Sequence, residues 1–172
     1  MTYLWLRRAQ AQQLIKHAQD AAPDEACGLI LGDQQRVNAI VPTENIAANP
    51  RHHYRIDDRA LIENFDRIIG IYHSHPRSQA IPSSTDIQES CYPEFVHVII
   101  GLQGKSPQIA AWHIRHGRVE SVQVIINDQP PQDIPKALTQ TQQAVLLVSA
   151  LAVVMAVIFI SLMLLPPAPP IQ

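Results

Sequence analysis

The apolar run Ile68-Ile69-Gly70-Ile71-Tyr72 ends directly on His73-Ser74-His75-Pro76, and this junction constrains the chain more than any other feature. The run reads as a buried strand. Successive side chains on a strand alternate between two faces, so imidazoles at i and i+2 point the same way. Just downstream, Pro82-Ser83-Ser84-Thr85-Asp86 brings a carboxylate back toward them. Two imidazoles and one carboxylate form a three-donor N/O set. Three protein ligands with a fourth position open is the arrangement of a catalytic rather than a structural zinc.

Each fragment also has a purely structural reading. Ser83 with an acidic residue three positions later is a capping box at a helix start, and Asp86 suits the helix dipole there. His73 and His75 read equally as a satisfied polar pair. The readings are compatible, because a first helical turn can cap itself and still offer Asp86 to a metal. Upstream, Asp24-Glu25 stands immediately before the short apolar strand Cys27-Gly28-Leu29-Ile30-Leu31. A zinc hydrolase needs a base close to its activated water, and a carboxylate on a neighbouring strand serves. After Pro23 the same two acids also read as a solvated turn.

Glu25, His73-Ser74-His75-Pro76, Ser83 and Asp86 together resemble the motif E … H-[ST]-H-P-x6-S-x2-D of the JAMM (MPN+) zinc metalloproteases, with every element present in order. The strand Asp24-Glu25-Ala26-Cys27-Gly28-Leu29-Ile30-Leu31-Gly32, the Pro82–Asp86 segment and Ala111-Trp112-His113-Ile114 are similar to the compact bacterial members. The resemblance spans roughly residues 1 to 127. It implies an α+β fold, a mixed β-sheet flanked by helices and related to cytidine deaminases. It also implies one Zn2+ per chain held by His73, His75 and Asp86 with water as fourth ligand. Glu25 would accept a proton from that water and deliver it to the leaving amine, and Ser83 would stabilise the oxyanion. The substrate class it implies is a protein, cleaved at a peptide or isopeptide bond after the C-terminus of a ubiquitin-like or sulfur-carrier protein.

The remaining pattern fits one domain with a real core, since about 130 residues suffice for one. Leu6 to Ala21 predicts an amphipathic helix with Ala11, Leu14, Ile15 and Ala18 on one face. Strands are expected at Cys27–Leu31 and Val37–Pro42, joined at Gly32-Asp33. A second helix is expected over Asp58 to Ile68. Val96–Leu102, Gln108–Ile114 and Arg118–Ile126 read as hairpin-linked strands, with turns at Gly104-Lys105-Ser106-Pro107 and His116-Gly117. His52-His53 reads as part of a polar loop at the cleft rim, while His17, His97, His113 and His116 read as core-edge or surface residues. Cys27 and Cys91 form neither a disulfide framework nor a C-x-x-C site, and Cys27 is expected as a buried thiol. A net charge of −2 without a basic run excludes nucleic acid as the main partner.

Ala144 to Leu165 is 22 uncharged and almost wholly apolar residues, interrupted only by Ser149 and Ser161. At about 1.5 Å per residue it reaches about 33 Å, enough for a hydrocarbon core of about 30 Å. The expected organisation is a catalytic domain over 1–127, a Pro-containing linker over 128–143, a transmembrane helix over 144–165 and a short Pro-rich tail over 166–172. Tyr3-Leu4-Trp5-Leu6 is too short for a signal peptide and precedes Arg7-Arg8 instead of following them. Lys136 on the N-terminal side of the span favours a tail-anchored, single-pass protein with its catalytic domain in the cytoplasm. The alternative function is a non-catalytic MPN-type scaffold or binding module at a membrane. A zinc nucleoside deaminase would need H-x-E and P-C-x-x-C, which this chain lacks.

Overall fold

The residue that a strand buries decides where it can sit, and Ile68–His75 is buried at seven of its eight positions. In a computed structural model of the chain, which describes residues 3–90, 92–131, 148–149, 151–156 and 160, this strand is paired along both edges. In chain order the elements are β1 (Tyr3–Leu6), α1 (Arg8–Ala21), β2 (Cys27–Asp33), β3 (Arg36–Thr43), α2 (Asp58–Asn64) with a 3-10 turn at Phe65–Arg67, β4 (Ile68–His75), α3 (Ser84–Gln88), β5 (Val96–Gly101), β6 (Gln108–Arg115) and β7 (Arg118–Ile126).

Hydrogen bonding runs β1-β3-β2-β4-β5-β6-β7, and β7 returns to β1, so the sheet closes into a barrel. β4 pairs antiparallel with β2 and parallel with β5, and the closing β1–β7 ladder is parallel. The mixed sheet expected from sequence is therefore present, and it closes into a barrel with few helices around it. Closure depends on β1, a four-residue strand that the sequence reading does not predict and whose last residue, Leu6, it assigns to the following helix. Its register runs from Tyr3↔Gln123 to Leu6↔Ile126, and Trp5 Nε1 donates to the Asn127 carbonyl at 2.7 Å. Of α1, α2 and α3, only α1 contributes fully buried residues, including Leu14 and Ala18. Burying a side chain such as Leu14 stabilises by about 1.5–3 kcal/mol.

Two further expectations shift. The β2–β3 turn is at Gln34-Gln35, with Gln34 at φ 53, not at Gly32-Asp33. Gly32 lies at a register shift in β2, where an added Cβ would sit 2.1 Å from the Arg36 carbonyl oxygen; the glycine serves close backbone approach at a bulge. The second helix ends at Asn64 and passes through the 3-10 turn into β4. The β6–β7 turn falls where expected, with His116 at φ 50 and Gly117 at φ 77.

Alternation along the central strands separates two apolar clusters. Ile30, Tyr72, Val96, Val98 and Ile100 pack with Leu14 and Ala18 on one side. Cys27, Leu29, Leu31, Ile56, Ile71 and Phe95 pack on the other. His73 and His75 follow Ile71 in the i+2 series, so they belong to this second face.

By backbone contacts the chain divides into two units, Met1–Pro131 and Gln132–Gln172. Among the described residues no helix is long and apolar enough to cross a membrane. Most of the expected transmembrane segment 144–165 lies outside the described residues, as does Cys91.

Candidate metal centre

Both imidazoles are presented by β4 and held on one face by its register. Cys27 opposes His73 across the β2–β4 ladder, and the Ser74 backbone N–H donates to the Ala26 carbonyl at 2.9 Å. The Ser74 hydroxyl accepts from the Ala26 backbone N–H at 2.8 Å, which fixes the start of β2 and with it Glu25. Ser74, sequestered on the opposite face from the two rings, is thus a structural clamp between the base and the ligands.

Asp86 arrives by the capping route. The Ser83 hydroxyl oxygen accepts from the Asp86 backbone N–H at 3.1 Å, and Asp86 Oδ2 accepts from the Ser83 backbone N–H at 2.7 Å. The capping box and the ligand reading hold together, because the same carboxylate also faces both rings. His73 Nε2 is 3.2 Å from Asp86 Oδ1, His75 Nε2 is 3.3 Å from Asp86 Oδ2, and the two Nε2 atoms are 3.1 Å apart. Among the described residues this is the one group of three His, Cys, Asp or Glu side chains with converging donor atoms.

The chemistry of this set fits zinc. His75 Nδ1 lies 3.0 Å from the Gln79 carbonyl, which can only accept, so Nδ1 carries the proton and Nε2 presents a lone pair. That lone pair faces another imidazole nitrogen and a carboxylate oxygen, an arrangement that a cation at its centre would satisfy. Zinc–ligand lengths of about 2.0–2.1 Å in tetrahedral geometry place donor atoms about 3.3 Å apart. The observed separations of 3.1 to 3.3 Å match that spacing.

The Gln79 carbonyl is positioned by the loop joining β4 to α3. Trp112 Nε1 donates to the Ala80 carbonyl at 3.1 Å, and Gln103 N–H donates to the Ser78 carbonyl at 3.3 Å. Gly101 lies under this loop; an added Cβ would be 2.4 Å from the Ala80 nitrogen. His73 is held differently. It is fully buried, and the Tyr54 ring stacks on it at 4.3 Å with 12° between planes.

Burial would raise the Asp86 carboxyl, but its contacts to both imidazoles hold it well below the usual carboxylate range. Burial lowers His73. It also pulls on His75, where the Asp86 contact and the Gln79 carbonyl outweigh it and the net shift is upward. Glu25 is 8% exposed, and burial pushes its carboxyl up to about 7 against the opposing pull of His75. A divalent cation beside it favours the ionised form.

Two grooves meet at the centre. One, of about 480 Å³, is lined by Asp86 together with Ala47, Tyr54, Ile56, Asp58, Glu89 and Tyr92. The other, of about 290 Å³, is lined by Glu25, His75, Ser83, Arg51 and Arg77. His52, His53 and Thr85 border both, which places the His52-His53 loop at the cleft rim as expected. All five sequence-expected residues are therefore brought together. Tyr54, Gln79, Trp112 and Asn45 join them without any sequence signal beyond residue type, since a backbone carbonyl or a loop amide has no periodicity. His97 and His113 are corrected from core-edge or surface residues to buried ones. Burial pushes His97 down to about 4. Cys27 is fully buried, and burial pushes its thiol up, as an inert structural cysteine requires.

The desampylase of Haloferax volcanii is 33% identical over 105 residues, covering 54% of this chain and 76% of that protein. The CysO-cysteine peptidase of Mycobacterium tuberculosis is 27% identical over 136 residues, covering 73% of this chain and 92% of that protein. A protein from Desulfitobacterium hafniense, solved in solution, matches with a TM-score of 0.66 at 27% identity over 73% of this chain and 94% of its own. The family described as prokaryotic homologs of the JAB domain matches residues 7–115, a span that contains Glu25, His73, His75, Ser83 and Asp86. The chain belongs to that family.

Proposed function

We propose that this chain is a JAMM-type zinc metallopeptidase that hydrolyses a peptide or isopeptide bond at the C-terminus of a ubiquitin-like or sulfur-carrier protein. The observation that carries this reading is the convergence of the His73, His75 and Asp86 donor atoms at zinc spacing, beside the buried carboxylate of Glu25. The names of the two curated relatives, a desampylase and a CysO-cysteine peptidase, support the substrate class.

When bound, zinc supplies a water whose pKa falls from about 16 to about 7. His73 and His75 would hold the ion through Nε2 and Asp86 through a carboxylate oxygen. Glu25 lines the same groove as His75 and accepts a proton at its carboxylate, then returns it to the leaving amine. The Ser83 oxygen already accepts from the Asp86 N–H, so its hydroxyl hydrogen is left to donate to a developing oxyanion. His73 is fully buried under the Tyr54 ring, while the two grooves leave room for an extended chain.

The anchor is part of the same reading. Residues 1–127 form the catalytic domain, 128–143 a linker, 144–165 a single transmembrane helix and 166–172 a short tail, with the catalytic domain on the cytoplasmic side. Support comes from the 22 uncharged residues of the span and from Lys136 before it. The described apolar residues Val148, Leu151, Val153, Val154, Met155 and Ile160 are all exposed, as a lipid-facing helix requires.

The test is incubation of the zinc-loaded chain with C-terminally extended ubiquitin-like and sulfur-carrier proteins, with the cut position read by mass spectrometry. Cleavage directly after the carrier's C-terminal residue is expected. Full zinc loading with no cleavage of any carrier would overturn the substrate class, and recovery of the chain in the soluble fraction after alkaline carbonate extraction would overturn the anchor.

A further inference from the structure

The segment between β3 and α2 has no regular structure, yet it covers the ligand face of β4, and one side chain organises it. Asn45 Nδ2 donates to the Glu25 carbonyl and to the His53 carbonyl, both at 2.9 Å. Its Oδ1 accepts from the backbone N–H of Ala47 and of Arg55, both at 3.1 Å. A carboxamide has two donor hydrogens and two acceptor lone pairs, so these four bonds use its full capacity. A neighbouring backbone bond, from Glu25 N–H to the Pro50 carbonyl at 2.7 Å, ties the base residue to the same segment a second time.

The bonds to His53 and Arg55 grip the backbone on either side of Tyr54, whose ring lies flat on His73. This matters because of a difference between the two imidazoles. A metal-ligating histidine ordinarily donates its second ring N–H to a partner that fixes its tautomer and plane. His75 does so through Gln79, whereas His73 Nδ1 is buried without a hydrogen-bond partner among the described residues. The plane of His73 is set by the Tyr54 stack instead, and the stack is set by Asn45.

We propose that Asn45 is a positioning residue for this site, linking the backbone of Glu25 to the aromatic plate on His73 through a single carboxamide. The inference rests on the zinc peptidase reading above. Glu25 approaches the centre from the segment just before β2 and His73 from β4, so β-sheet register alone does not fix the distance from the Glu25 carboxylate to the ligands. Asn45 supplies that constraint from outside the sheet.

The test uses the full chain with Asn45→Ala, Tyr54→Leu and Tyr54→Phe, reading zinc affinity by chelator competition and kcat and KM separately. Asn45→Ala is expected to bind zinc about 10- to 100-fold more weakly, the range seen when partners behind metal ligands are removed. Its kcat at saturating zinc is expected to fall at least about 10-fold with KM within about twofold, because geometry and not substrate contact is lost. Tyr54→Leu is expected to show the zinc defect with a smaller loss in kcat, since the tie to Glu25 remains. Tyr54→Phe, which keeps the ring, is expected to match wild type in zinc affinity. Wild-type zinc affinity in Tyr54→Leu overturns the plate, and zinc affinity and kcat within twofold of wild type in Asn45→Ala overturn the positioning role of Asn45. Should Asn45→Ala fail to fold, Tyr54→Leu against Tyr54→Phe still decides. A wild-type chain that takes up no zinc contradicts the peptidase reading itself, whereas a zinc-binding wild type with unaffected variants contradicts this inference alone.

Discussion

The ligand side and the base side of the centre are built in different ways. His73, His75 and Asp86 sit on regular structure: two positions of one strand and the first turn of a capped helix. Glu25 sits outside regular structure, between α1 and β2, and is held by Ser74 through its neighbour Ala26 and by the irregular segment that contains Asn45. The ligand side is also fastened to β5 and β6 through Gln103, Gly101 and Trp112. The difference teaches that metal binding and proton transfer rest on differently built supports, joined through Ser74 and Asn45.

If that difference holds, substitutions away from the Ser74 and Asn45 ties break the two sides independently. The largest effect is expected from Glu25→Gln. Zinc content should remain that of wild type, while kcat falls on the order of 10²- to 10⁴-fold, the range that a positioned base contributes. Loss of zinc in this variant would show that the base side also holds the metal. Ser83→Ala touches both sides. Removal of an oxyanion donor lowers kcat on the order of 10²- to 10³-fold, and loss of the cap costs about 1 kcal/mol of stability. Steady-state kinetics and thermal melts report the two components separately.

A smaller effect tests the ligand side alone. In Gly101→Ala the new Cβ must displace the backbone at Ala80, 2.4 Å away, and with it the Gln79 carbonyl that orients His75. Overpacking of this kind costs about 1–3 kcal/mol. Zinc affinity should fall in chelator competition while the residual kcat at saturating zinc stays close to wild type. A kcat loss as large as that of Glu25→Gln would mean that the two sides are one scaffold.

The smallest effect concerns the metal-free chain. Burial raises the Glu25 carboxyl from 4.5 to about 7, so its favourable contribution is present below pH 4.5 and is lost as pH rises through about 7. Asp86 has the opposite sign: its contribution is present above the ordinary carboxylate range and is lost on acidification below it. Metal-free Glu25→Gln should therefore melt higher than the metal-free wild type at pH 8, with the gap closing toward pH 5. An unchanged gap between pH 5 and 8 would show that Glu25 is not the group whose burial opposes ionisation.

The same division explains what could be read from the chain before its structure. His73, His75, Ser83 and Asp86 were legible because strand alternation and helix capping are local rules, and each acts within a few residues. The β6–β7 turn at His116-Gly117 followed from turn chemistry for the same reason. β1 was not legible, because four residues carry no periodicity and their partner, β7, lies at the other end of the domain. Gly32 was misplaced because a glycine at a bulge and a glycine in a turn look identical in sequence. Asn45, Tyr54 and Gln79 were silent because each acts through backbone groups or a ring face that only the folded chain brings into place. His97 and His113 were misjudged because an imidazole's burial depends on which strand neighbours it, and its type alone does not decide that.

The central claim is that His73, His75 and Asp86 hold one zinc ion. Elemental analysis of the purified full chain, beside His75→Ala, tests it most directly. About one zinc per wild-type chain and none retained by His75→Ala after dialysis is the expected result. A folded wild-type chain without zinc, or a His75→Ala chain that retains it, would contradict the account.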